Sequence, residues 1–161
     1  MLIRNILEES VRKFDEVKAV KWLKKKEIME RSYGELMENV VSTRKGLLAE
    51  GFEGKHIALI GTSSVEWMES YLGIITGCTT AVPLDAALPC EDLIDLLNRS
   101  DSAALFLSPK LKPYLDAFLE NCPKLQKVWM LQEEVEDAPA KVYGIGELRN
   151  AGKSASADSV C

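Results

Sequence analysis

The sequence predicts an α/β domain, a parallel sheet with helices on both faces and a β-hairpin at the N-terminus, and three observations in residues 1–161 predict it. First, residues 56–60, 79–84 and 103–107 are short apolar runs separated by stretches in which the apolar residues take a helical beat. Val65, Met68, Leu72 and Ile75 fill the first gap, and Leu93, Ile94 and Leu97 the second. The alternation reads strand, helix, strand, helix, strand. Second, the runs end in turn chemistry, Gly61-Thr62-Ser63-Ser64 after the first and Pro83-Leu84-Asp85 at the second. Third, strands joined through helices of this length cannot be antiparallel neighbours on a tight turn. They form right-handed parallel crossovers.

Composition sets the bounds. A chain of 161 residues that is 47% hydrophobic and 28% charged can bury one core of ordinary domain size. Twenty basic against twenty-five acidic residues give a formal charge of -5, which argues against nucleic acid or an anionic membrane surface as a partner for the chain as a whole. Cys78, Cys90, Cys122 and Cys161 form no C-x-x-C pair. Free buried thiols of a reducing compartment are expected rather than a disulfide framework or a zinc site. Met1-Leu2-Ile3-Arg4 leads into charged residues and not into the apolar segment of a signal peptide, and no apolar run approaches the length of a membrane span. The expected location is cytoplasmic.

Along the chain, Ile6, Val11 and Phe14 among charged residues predict a short surface helix over 5–14. Residues 17–23 and 27–31 flank Lys24-Lys25-Lys26 and predict a hairpin with a basic, solvated tip. Ser32-Tyr33-Gly34-Glu35 is a capping box, so a helix starts there and Glu35 serves as a cap and not as a catalytic carboxylate. Leu36, Val40, Val41, Leu47 and Leu48 supply its buried face, and Gly51 the left-handed residue after its end. His56, the only histidine, has no nucleophile or acid in triad spacing and takes a structural role. Pro113 is placed as the first residue of a helix running to Asn121. Residues 127–131 predict a further strand, 133–140 an acidic loop, and 142–149 a short strand or turn with a helical turn. Gly, Lys, Ser and Ala over 152–158 have the composition of a linker.

Three nucleotide-binding patterns fall short. Gly152-Lys153-Ser154 ends like a phosphate-binding loop, but Glu147 stands where the loop needs glycine and no apolar strand leads in. Gly144-Ile145-Gly146 lacks the third glycine of a dinucleotide fingerprint, with Arg149 in its place. The turn at Gly61-Thr62-Ser63-Ser64 has one glycine and offers only the free N–H groups of any helix start.

Larger motifs carry a resemblance. Arg31-Ser32-Tyr33-Gly34-Glu35-Leu36 resembles the Thr/Ser-Tyr-x-Glu-Leu signature of AMP-forming adenylating enzymes, and residues 77–85, GCTTAVPLD, resemble their run into Val-Pro-Leu-Asp. Between them, Ser63-Ser64-Val65-Glu66-Trp67 is similar to the Asn/Ser-x-x-Glu-Trp turn of fatty acyl-CoA synthetases. One departure is local: Cys78 stands where the family has glycine, with Gly77 one place earlier.

The resemblance implies the N-terminal portion of an ATP-dependent, AMP-forming fatty acid–CoA ligase. Its cofactors would be ATP, Mg2+ and CoA, its substrate a fatty acid or other carboxylate, and its partners the remaining ligase subdomains. It also implies an α/β subdomain over 1–152, with 153–161 as a linker into the next strand, ahead of a glycine-rich phosphate loop that this sequence does not contain. No catalytic residue is then expected here, no tight cofactor binding by this chain alone, and self-association is expected through the face that meets the missing subdomains. The alternative is a free-standing flavodoxin-like binding or interaction module without enzymatic activity. In acyl-CoA synthetases the loops after the second and third strands resemble ones that meet the nucleotide end of CoA. This implies small residues Ala86 and Ala87 beside the adenine and Lys110 and Lys112 facing its phosphates.

Overall fold

The structure, a computed structural model, describes residues 2–156. Its elements are α1 (Ile3–Phe14), β1 (Lys18–Lys24), β2 (Glu27–Ser32), α2 (Tyr33–Ala49), β3 (His56–Ile60), α3 (Val65–Ile75), β4 (Thr80–Leu84), α4 (Cys90–Arg99) and β5 (Ser102–Leu107). A 3-10 segment (Pro109–Tyr114), α5 (Leu115–Asn121), β6 (Lys127–Met130), β7 (Val142–Gly144) and α6 (Ile145–Ser154) complete the order. β1 and β2 form a separate antiparallel hairpin, and β3 to β7 form one parallel sheet in the order β4-β3-β5-β6-β7. This is the doubly wound order in which the chain starts inside the sheet, steps to one edge, then crosses back and winds the other way.

Alternation along the strands builds two cores. Ala58 and Ile60 of β3, Leu105 and Leu107 of β5, and Val128 and Met130 of β6 face Leu93 and Leu97 of α4 and Leu115 and Phe118 of α5. Ile57, Leu59, Phe106 and Trp129 face the opposite way, against Leu47 of α2, Ile74 of α3, and Ile145 and Leu148 of α6. The period of two along a strand makes this split, and each large side chain so buried contributes about 1.5–3 kcal/mol. Trp129 anchors the second layer, with the ring centroids of Phe52 and Phe106 at 5.4 and 5.3 Å. α3 and α4 lie on opposite faces because the crossover from β3 to β4 and the one from β4 to β5 run in opposite directions, and both must be right-handed.

Local chemistry fixes the element ends. Ser32 Oγ accepts from the Glu35 N–H at 3.2 Å, and the Glu35 carboxylate accepts from the Ser32 N–H at 2.7 Å, so the capping box is complete. At the other end of α2, Gly51 takes φ +80°, while its N–H and that of Phe52 donate to Leu48 O and Leu47 O at 3.0 Å. That pair of bonds is a Schellman motif. Pro83, which has no N–H to give, sits in β4 at the sheet edge, where a strand tolerates it. His56 is structural, its Nδ1 2.6 Å from Ser100 O.

Several expectations change. Pro113 does not open a helix: Pro109 starts a 3-10 segment that contains Pro113, and α5 begins only at Leu115. α2 buries Ser42, Thr43, Arg44 and Gly46 beside Leu36, Val40 and Leu47, while Val41 and Leu48 are half-buried. α6 carries on through Gly152, Lys153 and Ser154, residues whose composition reads as linker. The reason is packing: a Cβ at Gly152 would stand 1.9 Å from Ser42 O, and one at Gly46 2.3 Å from Leu148 O, so these two glycines let α2 and α6 cross in close contact. Cys90 and Cys122 are free thiols. Cys78 departs from the expectation and is disulfide-bonded, because spacing in sequence does not reveal which cysteines a fold brings together. Cys161 lies outside the described residues.

Candidate functional site: the cleft at the strand switch

In a doubly wound sheet the strand that starts the winding has its two following loops leave in opposite directions, and the crevice between them opens at the C-terminal ends of the strands. Here that strand is β3. Ile60 pairs with Leu84 of β4 on one side and with Leu107 of β5 on the other, so the three strands end level. Their loops meet in an open cleft of about 570 Å3 lined by Gly61, Thr62 and Ser63 after β3, Leu84 to Ala87 after β4, and Lys110 and Leu111 after β5.

Each wall has a local cause. Gly61 is required by crowding, since a Cβ there would lie 2.9 Å from Ser108 Cβ and 3.2 Å from the Trp67 ring. Ser64 caps α3 by accepting from the Trp67 N–H at 3.1 Å. Trp67 then stacks on Tyr71 with centroids 5.4 Å apart, and its buried ring N–H finds no acceptor among the described residues. Asp85 folds the second loop back by accepting from the Ala87 N–H at 2.9 Å, which holds Ala86 half-buried and Ala87 exposed. Ser108 donates its N–H to Ile60 O at 2.9 Å and so ties the third loop to the end of β3, with Lys110 exposed beyond it.

Of the residues picked from the sequence, Ala86, Ala87 and Lys110 come together in this cleft. Lys112 lies on the same 3-10 segment, exposed and off the cleft wall. The loops after β4 and β5 are not adjacent, as successive strands would suggest, because β3 stands between them. The Gly61 turn therefore forms the floor of the site, a place that chain order alone does not reveal. The other candidate motifs fall elsewhere. Gly144 and Gly146 let their backbone approach Glu133, with hypothetical Cβ atoms 2.4 and 2.6 Å from Glu133 O, and Lys153 pairs with Glu38 at 2.8 Å. The Ser32 N–H bond holds Glu35 below the usual carboxylate range, in keeping with its capping role. Among the described residues no group of His, Cys, Asp and Glu could hold a metal ion, and no helix is long and apolar enough to cross a membrane.

The fold and the motifs converge on one family. The chain belongs to the AMP-binding enzyme family, whose sequence pattern it matches over residues 7–159. No curated protein matches it. Among solved structures it is similar to coronafacic acid ligase from Pectobacterium brasiliense, with a TM-score of 0.86 and 20% identity over 100% of this chain and 32% of that one. It is also similar to an anthranilate CoA ligase in complex with anthranoyl-AMP, with a TM-score of 0.79 and 17% identity over 97% of this chain and 29% of that one. A putative long-chain-fatty-acid CoA ligase from Rhodopseudomonas palustris gives a TM-score of 0.77 and 11% identity over 92% and 36%. The chain thus spans about a third of the length of these structures, and at such identities the likeness concerns the fold.

Proposed function

We propose that this chain is the N-terminal portion of an ATP-dependent, AMP-forming fatty acid–CoA ligase, its α/β subdomain extending past residue 152 to the end of α6 at Ser154. In that reaction a carboxylate oxygen attacks the α-phosphorus of ATP, giving an acyl-adenylate and releasing pyrophosphate. The CoA thiol then attacks the acyl carbon, and AMP leaves. ATP and Mg2+ would be held by groups outside this chain, which supplies the scaffold and one wall of the CoA path. The observation that carries the reading is the match to the AMP-binding enzyme family over residues 7–159. The fatty acid, rather than an aryl acid, is supported by the Ser63-Ser64-Val65-Glu66-Trp67 turn, whose Ser64 cap and Trp67 stack form one side of the loop that floors the cleft.

The cleft suits the nucleotide end of CoA in two respects. Gly61, Ala86 and Ala87 present little side chain, so a flat base can approach the backbone, and Lys110 supplies a cation at the rim. Lys112, further along the same segment, would meet a phosphate only outside the cleft proper.

The test is acid-dependent ATP–pyrophosphate exchange by the polypeptide that continues this chain through its phosphate loop, run against fatty and aryl carboxylates. Exchange driven by fatty acids, with none from residues 1–161 alone, is expected, because positioned phosphate donors and metal supply most of the catalysis in such chemistry. Preference for aryl acids would overturn the substrate assignment, and exchange by the isolated chain would overturn the division of labour.

A further inference from the structure

The β1–β2 hairpin carries a feature that the cleft and the ligase reading leave unused. Lys24 pairs with Glu27, so the connection is a two-residue loop of Lys25 and Lys26, and both take positive φ, 48° and 70°. Such a turn favours Asn-Gly, since a side chain with a Cβ is strained in the left-handed region. Two lysines hold these positions against that preference. Strain of this kind persists where the side chains have a use.

Immediately behind the tip, Leu23 and Ile28 stand opposite each other across the strands, each 71% exposed. They share the outward face with Lys21 and Glu30, which pair at 2.6 Å, while Trp22 on the other face lies under Arg31. Lys24, Lys25 and Lys26 enter no ion pair among the described residues, and the carboxylates nearest in sequence are Glu27, opposite Lys24, and Glu30, held by Lys21. The hairpin end therefore joins a bare aliphatic pair to a local excess of positive charge. The formal charge of -5 belongs to the whole chain, and at physiological salt it is screened beyond about 8 Å.

We propose that the hairpin tip docks on an anionic lipid bilayer, with Leu23 and Ile28 entering the headgroup–acyl boundary and the turn residues Lys25 and Lys26 meeting lipid phosphates. Charge complementarity selects the occupant: phosphates satisfy the lysines, and only a surface with apolar depth satisfies the aliphatic pair beside them. A nucleic acid offers the first without the second. A second copy of the hairpin would bring lysines against lysines. The proposal is independent of the ligase reading, since it concerns a surface remote in sequence from the cleft residues.

The experiment is sedimentation of the full chain with vesicles of phosphatidylglycerol and phosphatidylcholine, against vesicles of phosphatidylcholine alone. Binding to the anionic vesicles that weakens with salt is expected. The informative variant is Lys25→Asn with Lys26→Gly, which gives the turn the residues its backbone favours. It should raise the melting temperature yet weaken vesicle binding by about 25-fold, at about fivefold per lysine near an anionic surface. Leu23→Ser with Ile28→Ser should weaken binding as well while leaving the charge untouched. Equal binding to both vesicle types, no binding to either, or an unchanged affinity in the Asn-Gly variant would each overturn the proposal. So would a dimer of the parent chain that the Leu23→Ser, Ile28→Ser variant dissolves and vesicles do not displace.

Discussion

The Glu69 carboxylate and the Arg149 guanidinium meet at 2.9 Å with side chains only 0% and 5% exposed, joining α3 to α6 from positions 80 residues apart. The other Glu69 oxygen accepts from Asn39 of α2 at 3.0 Å and lies 2.9 Å from Arg31 at the end of the hairpin. Arg149 in turn donates to Thr43 Oγ1 at 3.3 Å and reaches Glu133 at 3.6 Å. One buried carboxylate thus ties together the hairpin and three helices. Burial pushes its pKa above the ordinary carboxylate range, and Arg149 opposes that push without cancelling it.

Removing one partner should cost more than removing both. Glu69→Gln leaves the buried Arg149 with only the exposed Glu133 carboxylate at 3.6 Å and should destabilise the chain by about 3–5 kcal/mol. Arg149→Met leaves Glu69 with Arg31 and Asn39 and should cost less, and Glu69→Leu with Arg149→Met should recover most of the larger loss. Arg31 can turn to solvent, being 23% exposed already. Urea unfolding of the three variants checks the order, and equal losses in the single and double variants would contradict it.

Acid titration should separate two carboxylates by sign. Glu69, raised in the folded state, adds stability below the ordinary carboxylate pKa that is lost as pH rises through its folded value. Glu35 is lowered, mainly by the Ser32 N–H, so its contribution is present above the ordinary pKa and lost as pH falls through the folded value. The stability of the parent chain relative to Glu69→Gln should therefore fall with rising pH, and relative to Glu35→Gln it should rise. Unfolding free energies measured from the acid range to neutrality show both slopes.

Much of this architecture is written locally. The strand and helix alternation from β3 to β5, the Ser32–Glu35 capping box and the Gly51 cap depend on neighbours within a few residues, and a sequence displays those directly. Sheet order is different. Nothing in the spacing of residues 79–107 says that β3 separates β4 from β5, and so Ala86 and Lys110 were legible as loop residues but not Gly61 as the floor between them. The buried ion pair was not legible: the apolar beat of α3 runs through Met68, Leu72 and Ile75, which are half-buried, whereas the stripe the fold buries carries Glu69, Ser70 and Gly73, and only that burial calls for a cation beside Glu69. Gly152 misled for another reason, since composition treats glycine as flexible whereas here its missing side chain admits another helix.

That packing gives a contrast between two glycines. Gly152→Ala would place a methyl group 1.9 Å from Ser42 O, against backbone that cannot move aside without shifting α2. Overpacking of this kind costs about 1–3 kcal/mol, and the upper end is expected because the obstacle is main chain. Gly54→Ala meets open space, and only its φ of +70° resists the change, at about 1–2 kcal/mol. The distinction lies in the side-chain series: enlarging residue 152 to Leu should worsen the loss steeply, while Gly54→Leu, whose Cβ is unbranched and meets open space, should respond little beyond Ala. Thermal melts of the four variants read this out, and parallel responses at the two positions would place the α2–α6 contact further apart than the structure has it.

The cleft yields the prediction that bears on function. If the nucleotide end of CoA lies over Ala86 and Ala87, Lys110 is the cation within reach of its phosphates, with Lys112 further along the same exposed segment. On the proposed reading neither lysine takes part in the adenylation step. Changing both to Ala in the ligase that continues this chain should therefore raise the KM for CoA, by about five- to tenfold for two exposed phosphate contacts, and leave acid-dependent ATP–pyrophosphate exchange unchanged. Lys110→Ala alone should account for most of the rise, because Lys112 is off the cleft wall. Ala87→Phe should have a larger effect on the same constant, since an aromatic ring on that exposed position would occupy the space left for the base. An unchanged KM for CoA in both variants would remove the cleft from the CoA path, while a loss of exchange activity would show that these loops act on the first step instead.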